Sequence, residues 1–582
     1  MKAKSLKVFV SVLMTLVFVL AACTAAPTQA PAAQPTAAVE EPAAEPTATE
    51  AAAAEPTEAE SAEPTEAGEG EPTEAAGEGE MQGGFWTPQI KQAIAAAIDR
   101  EALVDRVFEG RNEPAYHMVP PGYPYATEPF LDKYGTRDLQ MAIDLLEQAG
   151  YTEDNPFEMT LWFPPEHYGT TTADVMQVLK EQLEETGRIT VNLESQNWAE
   201  YVDSFVAGEL PAFILGWFPD FVDPENWLTP FGSCTASPDQ GVFYCNEELD
   251  ALLLAAGSTT DDAEREKLYA EVGELWANEV PVLPLFWEPE FITNRPGVEG
   301  IAIGASFEFN YYPLSFGPDA VPASGDPNTI IIGTTDAVNS LDPQDAYATH
   351  DWELIKNTGV PLLTYAPGTA DLIPGAAEAM PEISEDGLTY TYTLREGLQY
   401  ADGTPVTAND YVRAWERMEN LQGQVSGLVQ AYVEDVTAAD DRTVVYTLKA
   451  PFAFFEALSA TAPFVPPNPN IFTDDAINAF PERVDGIGPY RLTSLVPGEQ
   501  AVLEANPNFF GEQPNIPTVI IRYFTDPTTM SQAVERGEID IAWRTLGPVE
   551  AVRLQDVPEL TVTTIDAPAL RYIVFNHNYQ GE

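Results

Sequence analysis

Apolar residues recur along this chain with two periods, and they divide it into alternating elements. Ile90, Ile94 and Ile98 follow helical spacing behind Thr87, a capping side chain, and Pro88, which suits a first turn. This pattern predicts one helix over 87–108, stopped at Gly110. Residues 138–150 predict a second amphipathic helix with a glycine stop. Strands are expected at 157–163, 189–196 and 212–217, with helices at 172–187 and 198–207 between them. Further helices are expected at 247–254 and 261–278, then an apolar strand over 282–294 with a proline-broken end. Strands alternating with helices predict an α/β lobe. Residues 315–327 (SFGPDAVPASGDP) read as a linker. Beyond it, strands are expected at 329–335, 388–394, 442–448, 501–504, 519–523 and 571–575, with helices at 408–418 and 529–536. That part is richer in strands and turns, and is read as mixed α+β.

One stretch, 211–231 (PAFILGWFPDFVDPENWLTPF), combines these signals with candidate chemistry. Its apolar run 212–217 predicts a buried strand. The run breaks at Pro219 and presents Asp220, Asp223 and Glu225 among Trp217, Phe218, Phe221 and Trp227. A carboxylate among aromatic rings at a strand end has the makings of a pocket for a cationic, partly apolar ligand. A core strand followed by a solvated acidic turn is the other reading of these residues.

Length and charge narrow the classes. At 582 residues the chain exceeds one ordinary domain and suggests two to four. A formal net charge of -65 makes nucleic acid and anionic lipid surfaces poor partners. The four histidines, His117, His167, His350 and His577, are scattered without metal-ligand spacing, so no metal and no cofactor is expected.

The first 80 residues are not core-forming. Lys2, Lys4 and Lys7 precede an apolar stretch over 8–22, too short for a comfortable membrane span. It ends Leu20-Ala21-Ala22-Cys23, which resembles the bacterial lipobox, so residues 1–23 read as a lipoprotein signal peptide with Cys23 as the lipidated residue. Lipid would anchor the protein to a membrane without spanning it. Residues 24–80 are rich in Ala, Pro, Thr and Glu, with 14 Glu and no Lys, Arg or Asp. They read as a disordered tether whose ends lie about 40 Å apart as a random coil. Cys234 and Cys245, eleven apart in a loop-like segment, suit a local disulfide in an exported protein.

Several segments resemble one family. Residues 388–410, LTYTYTLREGLQYADGTPVTAND, are similar to a signature of the large extracytoplasmic solute-binding proteins of peptide-type ABC importers, family 5. Asn339-Ser340-Leu341-Asp342-Pro343, GIGPY from Gly486, NPNFF from Asn506, GEID from Gly537, KQAIAAAIDREAL from Lys91 and GWFPDFVDP from Gly216 are similar to the same family. The resemblance covers nearly everything after residue 84. It implies an α/β, two-lobed periplasmic-binding-protein-like fold of the large cluster C type, with a hinge between the lobes. The order of the parts is reversed relative to the family: the equivalent of 328–575 normally precedes that of 87–312. A circular permutation is therefore expected, with a gene fusion as the alternative. The lobes would be 85–281, α/β, and 282–582, mixed α+β with the hinge strand first.

The resemblance also implies a function. The expected protein is a lipid-anchored, extracytoplasmic receptor, acting as a monomer, that captures an oligopeptide and delivers it to the permease subunits of an ABC importer. Asp220 would pair with the α-ammonium of the ligand, Trp217 and Phe218 would line the cleft, and Gly216 would let backbone approach the ligand. Asn339 and Ser340 would close from the far lobe. Asp220 as a structural turn carboxylate, and Asn339 and Ser340 as a turn, are the alternatives. Tyr400, Asp402 and Gly403 read as a structural turn. Oligosaccharides or another small solute are alternative ligands. An exported hydrolase built on the Asp220/Asp223 pair is the remote alternative, since the chain carries no Gly-x-Ser-x-Gly, HExxH or P-loop.

Overall fold

The structure, a computed structural model, describes residues 85–581 apart from residues 166, 170, 305 and 545. The expected signal peptide with Cys23, and the tether 24–80, lie outside the described residues.

Ten strands make the body of one mixed sheet: β1 (Phe157–Phe163), β2 (Ile189–Ser195), β3 (Ala212–Trp217), β4 (Val282–Asn294), β5 (Thr329–Thr334), β6 (Tyr490–Val496), β7 (Gln500–Ala505), β8 (Thr518–Tyr523), β9 (Ile541–Trp543) and β10 (Thr561–Phe575). Their order is β6-β7-β8-β5-β9-β4-β10-β3-β1-β2, and a short strand, Glu113–Pro114, pairs with β4 off this path. β8, β5 and β9 run parallel on one side, and β3, β1 and β2 run parallel on the other. Between them lie two long antiparallel strands, β4 and β10. A smaller antiparallel sheet, Glu382–Ile383, Thr389–Thr393, Thr443–Leu448 and Val433–Ala438 in spatial order, belongs to the second half of the chain.

β4 and β10 are the only strands of the ten that serve both halves. Val282, Leu283, Leu285, Phe286 and Trp287 on β4, and Leu570 with Tyr572–Phe575 of β10, pack in one core with residues of the 85–281 region. Ile292 on β4 and Ala569 on β10 pack in a second core with Ile330, Ile332, Tyr490, Leu503 and Trp543. Both strands therefore cross between cores within a few residues of Glu288 and Glu290.

The proline-broken end expected for 282–294 is not found. β4 runs unbroken through Pro284 and Pro289: Pro289 falls within one register shift against β10, and Pro284, paired with Tyr572, borders the other. The single helix expected over 87–108 is two, Pro88–Ala97 and Arg100–Phe108. Ile98 is extended, and the Asp99 side chain accepts from the Ala102 N–H to cap the second helix. The apolar spacing continues across the break and so hides it.

The two ends of the described region meet. The Phe85 ring lies edge-on to Tyr579 at 5.1 Å, and a Cβ built on Gly581 would lie 3.2 Å from the Phe85 ring. Trp86 packs on Phe575 and donates its indole N–H to the Pro211 carbonyl at 2.9 Å. Cys234 and Cys245 form a disulfide.

Candidate ligand cleft

β3 delivers its last residues to the contact between the two halves. After Trp217 the chain turns, and at Glu225 it enters a helix, Glu225–Gly232, which neither reading of this stretch included. Asp223 fixes that entry. It accepts two hydrogen bonds from Arg265, both at 3.0 Å, and its Oδ1 caps the Glu225 N–H at 3.0 Å. Asp223 is thus a buried structural carboxylate.

Asp220 is held differently. Its backbone N–H donates to Asn226 Oδ1 at 2.9 Å, and Asn226 Nδ2 donates to Asp220 Oδ2, also at 2.9 Å. The Tyr347 hydroxyl, from the other half, donates to the same Oδ2 at 3.1 Å. Among the described residues no Lys, Arg or His pairs with this carboxylate. Burial pushes its pKa up to about 6 against the two neutral donors, and the Glu308 charge adds to the rise.

The neighbouring aromatic positions come together with it. Trp217 lies edge-on to Phe231 at 5.1 Å and donates to Asn226 Oδ1 at 3.4 Å. Phe218 stacks on Phe307 of the second half at 5.2 Å. Gly216 meets protein side chains: a Cβ there would stand 2.5 Å from Arg571 Nη1 and 2.9 Å from the Tyr168 ring. Its N–H donates to the Tyr168 hydroxyl at 2.9 Å. The absent side chain therefore makes room for Arg571, which stacks over Tyr168 at 4.4 Å and pairs with Glu288 at 2.5 Å.

Asn339 and Ser340 stand on the loop after β5, the loop that also carries Tyr347. Their backbone N–H groups both donate to the Asp351 carboxylate, at 2.9 and 3.1 Å, and the Asn339 amide meets His350 at 3.0 Å. Burial raises Asp351 to about 7 despite those two bonds. The structure thus groups Gly216, Trp217, Phe218 and Asp220 on one wall. Asn339 and Ser340 are tied to Asp351 within their own half, and Tyr347 of the same loop reaches Asp220.

Other polar groups gather where β4 and β10 cross. Glu290 is raised to about 8 by burial and by Glu288, against the opposing charges of Arg544 and Arg571. Arg544 is itself paired with Glu353 at 3.1 Å and Asp336 at 3.6 Å. His167 stacks on Trp198 at 3.6 Å and is lowered to about 4, mainly by burial. Tyr347, Asn226, Tyr168 and Arg571 are absent from the sequence-based site. Arg571, a charge inside an apolar strand (RYIVF), is the one the pattern could have flagged.

The halves touch at further points. Val222 N–H donates to the Tyr365 hydroxyl at 3.0 Å, Ala453 N–H to the Gly257 carbonyl at 2.9 Å, and Arg111 to the Pro548 carbonyl at 3.2 Å. Phe221 stacks on Phe454 at 5.5 Å. Beside Arg571 a cavity of about 10 Å³ remains, room for one water molecule. The motif Tyr400, Asp402, Gly403 forms a tight turn away from this site. Gly403 has φ +87°, and Asp402 accepts from Thr404 N–H, Asn468 and Asn470. Burial would raise Asp402, but these bonds outweigh it and lower its pKa to about 2. Among the described residues no group of His, Cys, Asp and Glu could hold a metal ion.

A model of the family described as "Bacterial extracellular solute-binding proteins, family 5 Middle" matches residues 77–239 and 371–581, more than half of the chain. The chain belongs to that family. This family 5 protein is 29% identical over 317 residues to the probable D,D-dipeptide-binding periplasmic protein DdpA of Escherichia coli, covering 50% of this chain and 58% of that one. It is 27% identical over 232 residues to di/tripeptide-binding protein 1 of Pseudomonas aeruginosa, covering 39% of this chain and 42% of the relative. The chain spans about half the length of these curated relatives. Among solved structures it is similar to NikA of Brucella suis in complex with Fe(III)-EDTA, at 24% identity and a TM-score of 0.36, covering 40% of this chain and 47% of that one. It is also similar to DppA of Helicobacter pylori in complex with the peptide STSA, at 22% identity and a TM-score of 0.33, covering 36% and 45%.

Proposed function

We propose that this family 5 protein is the solute receptor of an ABC importer and captures short peptides with a free N-terminus between its two halves. One observation carries the reading. Asp220 is a half-buried carboxylate among aromatic rings, bonded to the Tyr347 hydroxyl of the opposing half, with neutral donors and no cationic partner among the described residues. A peptide α-ammonium supplies the missing charge, and charge-assisted bonding in a dry cleft gives specificity for it. The names of the curated relatives, di/tripeptide-binding and D,D-dipeptide-binding, agree with this ligand class. Trp217 and Phe218 line the site, Gly216 with Arg571 and Tyr168 shapes its floor, and the Asn339–Ser340 loop closes over it through Tyr347. The protein binds without turnover, as a monomer.

The leader with Cys23 supports an extracytoplasmic lipoprotein held at the membrane surface, which delivers its ligand to permease subunits. The reversed order of the family's parts is read as a circular permutation. The contact of Phe85 with Tyr579 and Gly581 supports it, because the new ends of a permuted chain are neighbours in the family's order and should lie side by side. A reordered chain, 328–581 followed by 81–327, should fold to the same thermal midpoint and bind the same ligand. Failure of that chain to fold would contradict a permutation.

Calorimetric titration with tri-alanine and with N-acetyl-tri-alanine tests the ligand class. Tri-alanine should bind and the acetylated peptide should bind at least tenfold more weakly. Equal affinities, or binding of an oligosaccharide alone, would overturn the peptide reading.

A further inference from the structure

We propose that Asn226 is the positioning residue that sets the Asp220 carboxylate for a ligand's cation, an inference that rests on the ligand-binding role given to Asp220 above. Asn226 is the second residue of the helix Glu225–Gly232, and only 3% of it is exposed. The helix start is pinned from below by the Asp223–Arg265 pair, so the amide is carried on a fixed frame.

Both ends of that amide act on the same stretch. Oδ1 accepts from the Asp220 N–H and the Trp217 indole N–H, while Nδ2 donates to Asp220 Oδ2. Asp220 is thus gripped at its backbone and its side chain by one residue, which fixes where the carboxylate points. The grip also divides the two carboxylate oxygens. Asn226 Nδ2 and the Tyr347 hydroxyl both donate to Oδ2, and Oδ1 receives no hydrogen bond from the described residues. Oδ1 is therefore the oxygen left for an incoming ammonium. Tyr347 comes from the opposing half, so its bond needs the halves together. Asn226 comes from the same wall, so its bond also persists when they part. Asn226 accordingly keeps the carboxylate ionised and aimed before ligand arrives, and removing its Nδ2 donor takes a stabilising bond from the charged form.

The test uses the protein with Asn226→Ala and Asn226→Ser, the second kept in case the alanine variant fails to fold. Carboxyl-¹³C-labelled aspartate gives the Asp220 resonance, assigned by its loss in Asp220→Asn, and its titration is followed without ligand. Both variants should move the Asp220 midpoint upward, by on the order of one pH unit. Tri-alanine affinity should fall about fivefold near pH 6, with a smaller loss at pH 8, where the carboxylate is mostly ionised in all forms. An unmoved midpoint, or a loss of affinity equal at both pH values, would overturn the role of Asn226. The titration needs no ligand, so failure of the unaltered protein to bind tri-alanine would overturn the ligand class alone.

Discussion

Replacing Asp220 with asparagine removes one negative charge and leaves the shape of the cleft nearly intact. The carboxylate keeps neutral donors from Asn226 and Tyr347, so its charge is uncompensated before ligand binds. An ammonium about 4 Å from it, at an effective dielectric of about 20, is attracted by about 4 kcal/mol. Desolvation of both groups takes back part of this, leaving about 2–4 kcal/mol, roughly 30- to 900-fold in Kd. The pH dependence follows from the same group. With its pKa pushed up to about 6 by burial, Asp220 is mostly ionised at pH 7 and mostly protonated at pH 5. Ligand must then displace the proton, and affinity should fall about tenfold per unit below pH 6. Calorimetric titration of the unaltered protein and Asp220→Asn with tri-alanine, from pH 5 to 7.5, reads both effects. The unaltered protein should show the acid limb, and the variant should bind weakly with no limb between pH 5 and 7. Equal affinity in the two proteins, or an acid limb that survives the substitution, would refute the charge pair.

Other parts of the structure give sharper tests of its construction. Burial, with the Asp223 charge adding to it, raises Glu225 to about 8, and its nearest donor from the opposing half is the Tyr432 hydroxyl at 3.5 Å. The folded protein therefore holds this proton more tightly than the unfolded chain, so the stability it contributes is full below about pH 4.5 and is lost as pH rises through 8. Glu225→Gln should flatten the fall of the thermal midpoint between pH 5 and 8, and an unchanged pH profile would contradict this. Gly216→Ala places a methyl 2.5 Å from Arg571 Nη1 and should lower stability by about 1–3 kcal/mol in urea denaturation, through loss of the Tyr168 stack and the Glu288 pair. No change in the urea midpoint would mean that Arg571 swings away freely. Opening the Cys234–Cys245 bridge with Cys234→Ser and Cys245→Ser frees an eleven-residue separation and should cost about 3 kcal/mol, measured the same way.

Local order was legible in the sequence wherever one face of an element is buried. The runs 157–163, 212–217 and 282–294 became β1, β3 and β4 with those limits, since their apolar residues enter the cores directly. β10 was seen only at its end, 571–575. Its first part, Thr561–Val562–Thr563–Thr564, carries little apolar signal and is placed by pairing with β4. The break at Ile98 was hidden because Asp99 acts as a cap inside an unbroken apolar rhythm. Among site residues, Asp220, Trp217 and Phe218 stood out as charge and aromatics at a strand end. Tyr347 did not, because its role depends on which loop of one half meets the other, and Asn226 did not, because its grip on Asp220 depends on how the turn between Trp217 and the helix Glu225–Gly232 folds back. At Gly216 the sequence shows the missing side chain but not the group that fills the space, Arg571, which arrives from a strand more than 350 residues away.

Mass spectrometry of the small molecules released by denaturing the freshly purified protein tests the central claim most directly. The account predicts short peptides with free amino termini, recovered from the unaltered protein and depleted from Asp220→Asn. Recovery of sugars alone, or of N-terminally blocked peptides at equal yield from both proteins, would contradict it.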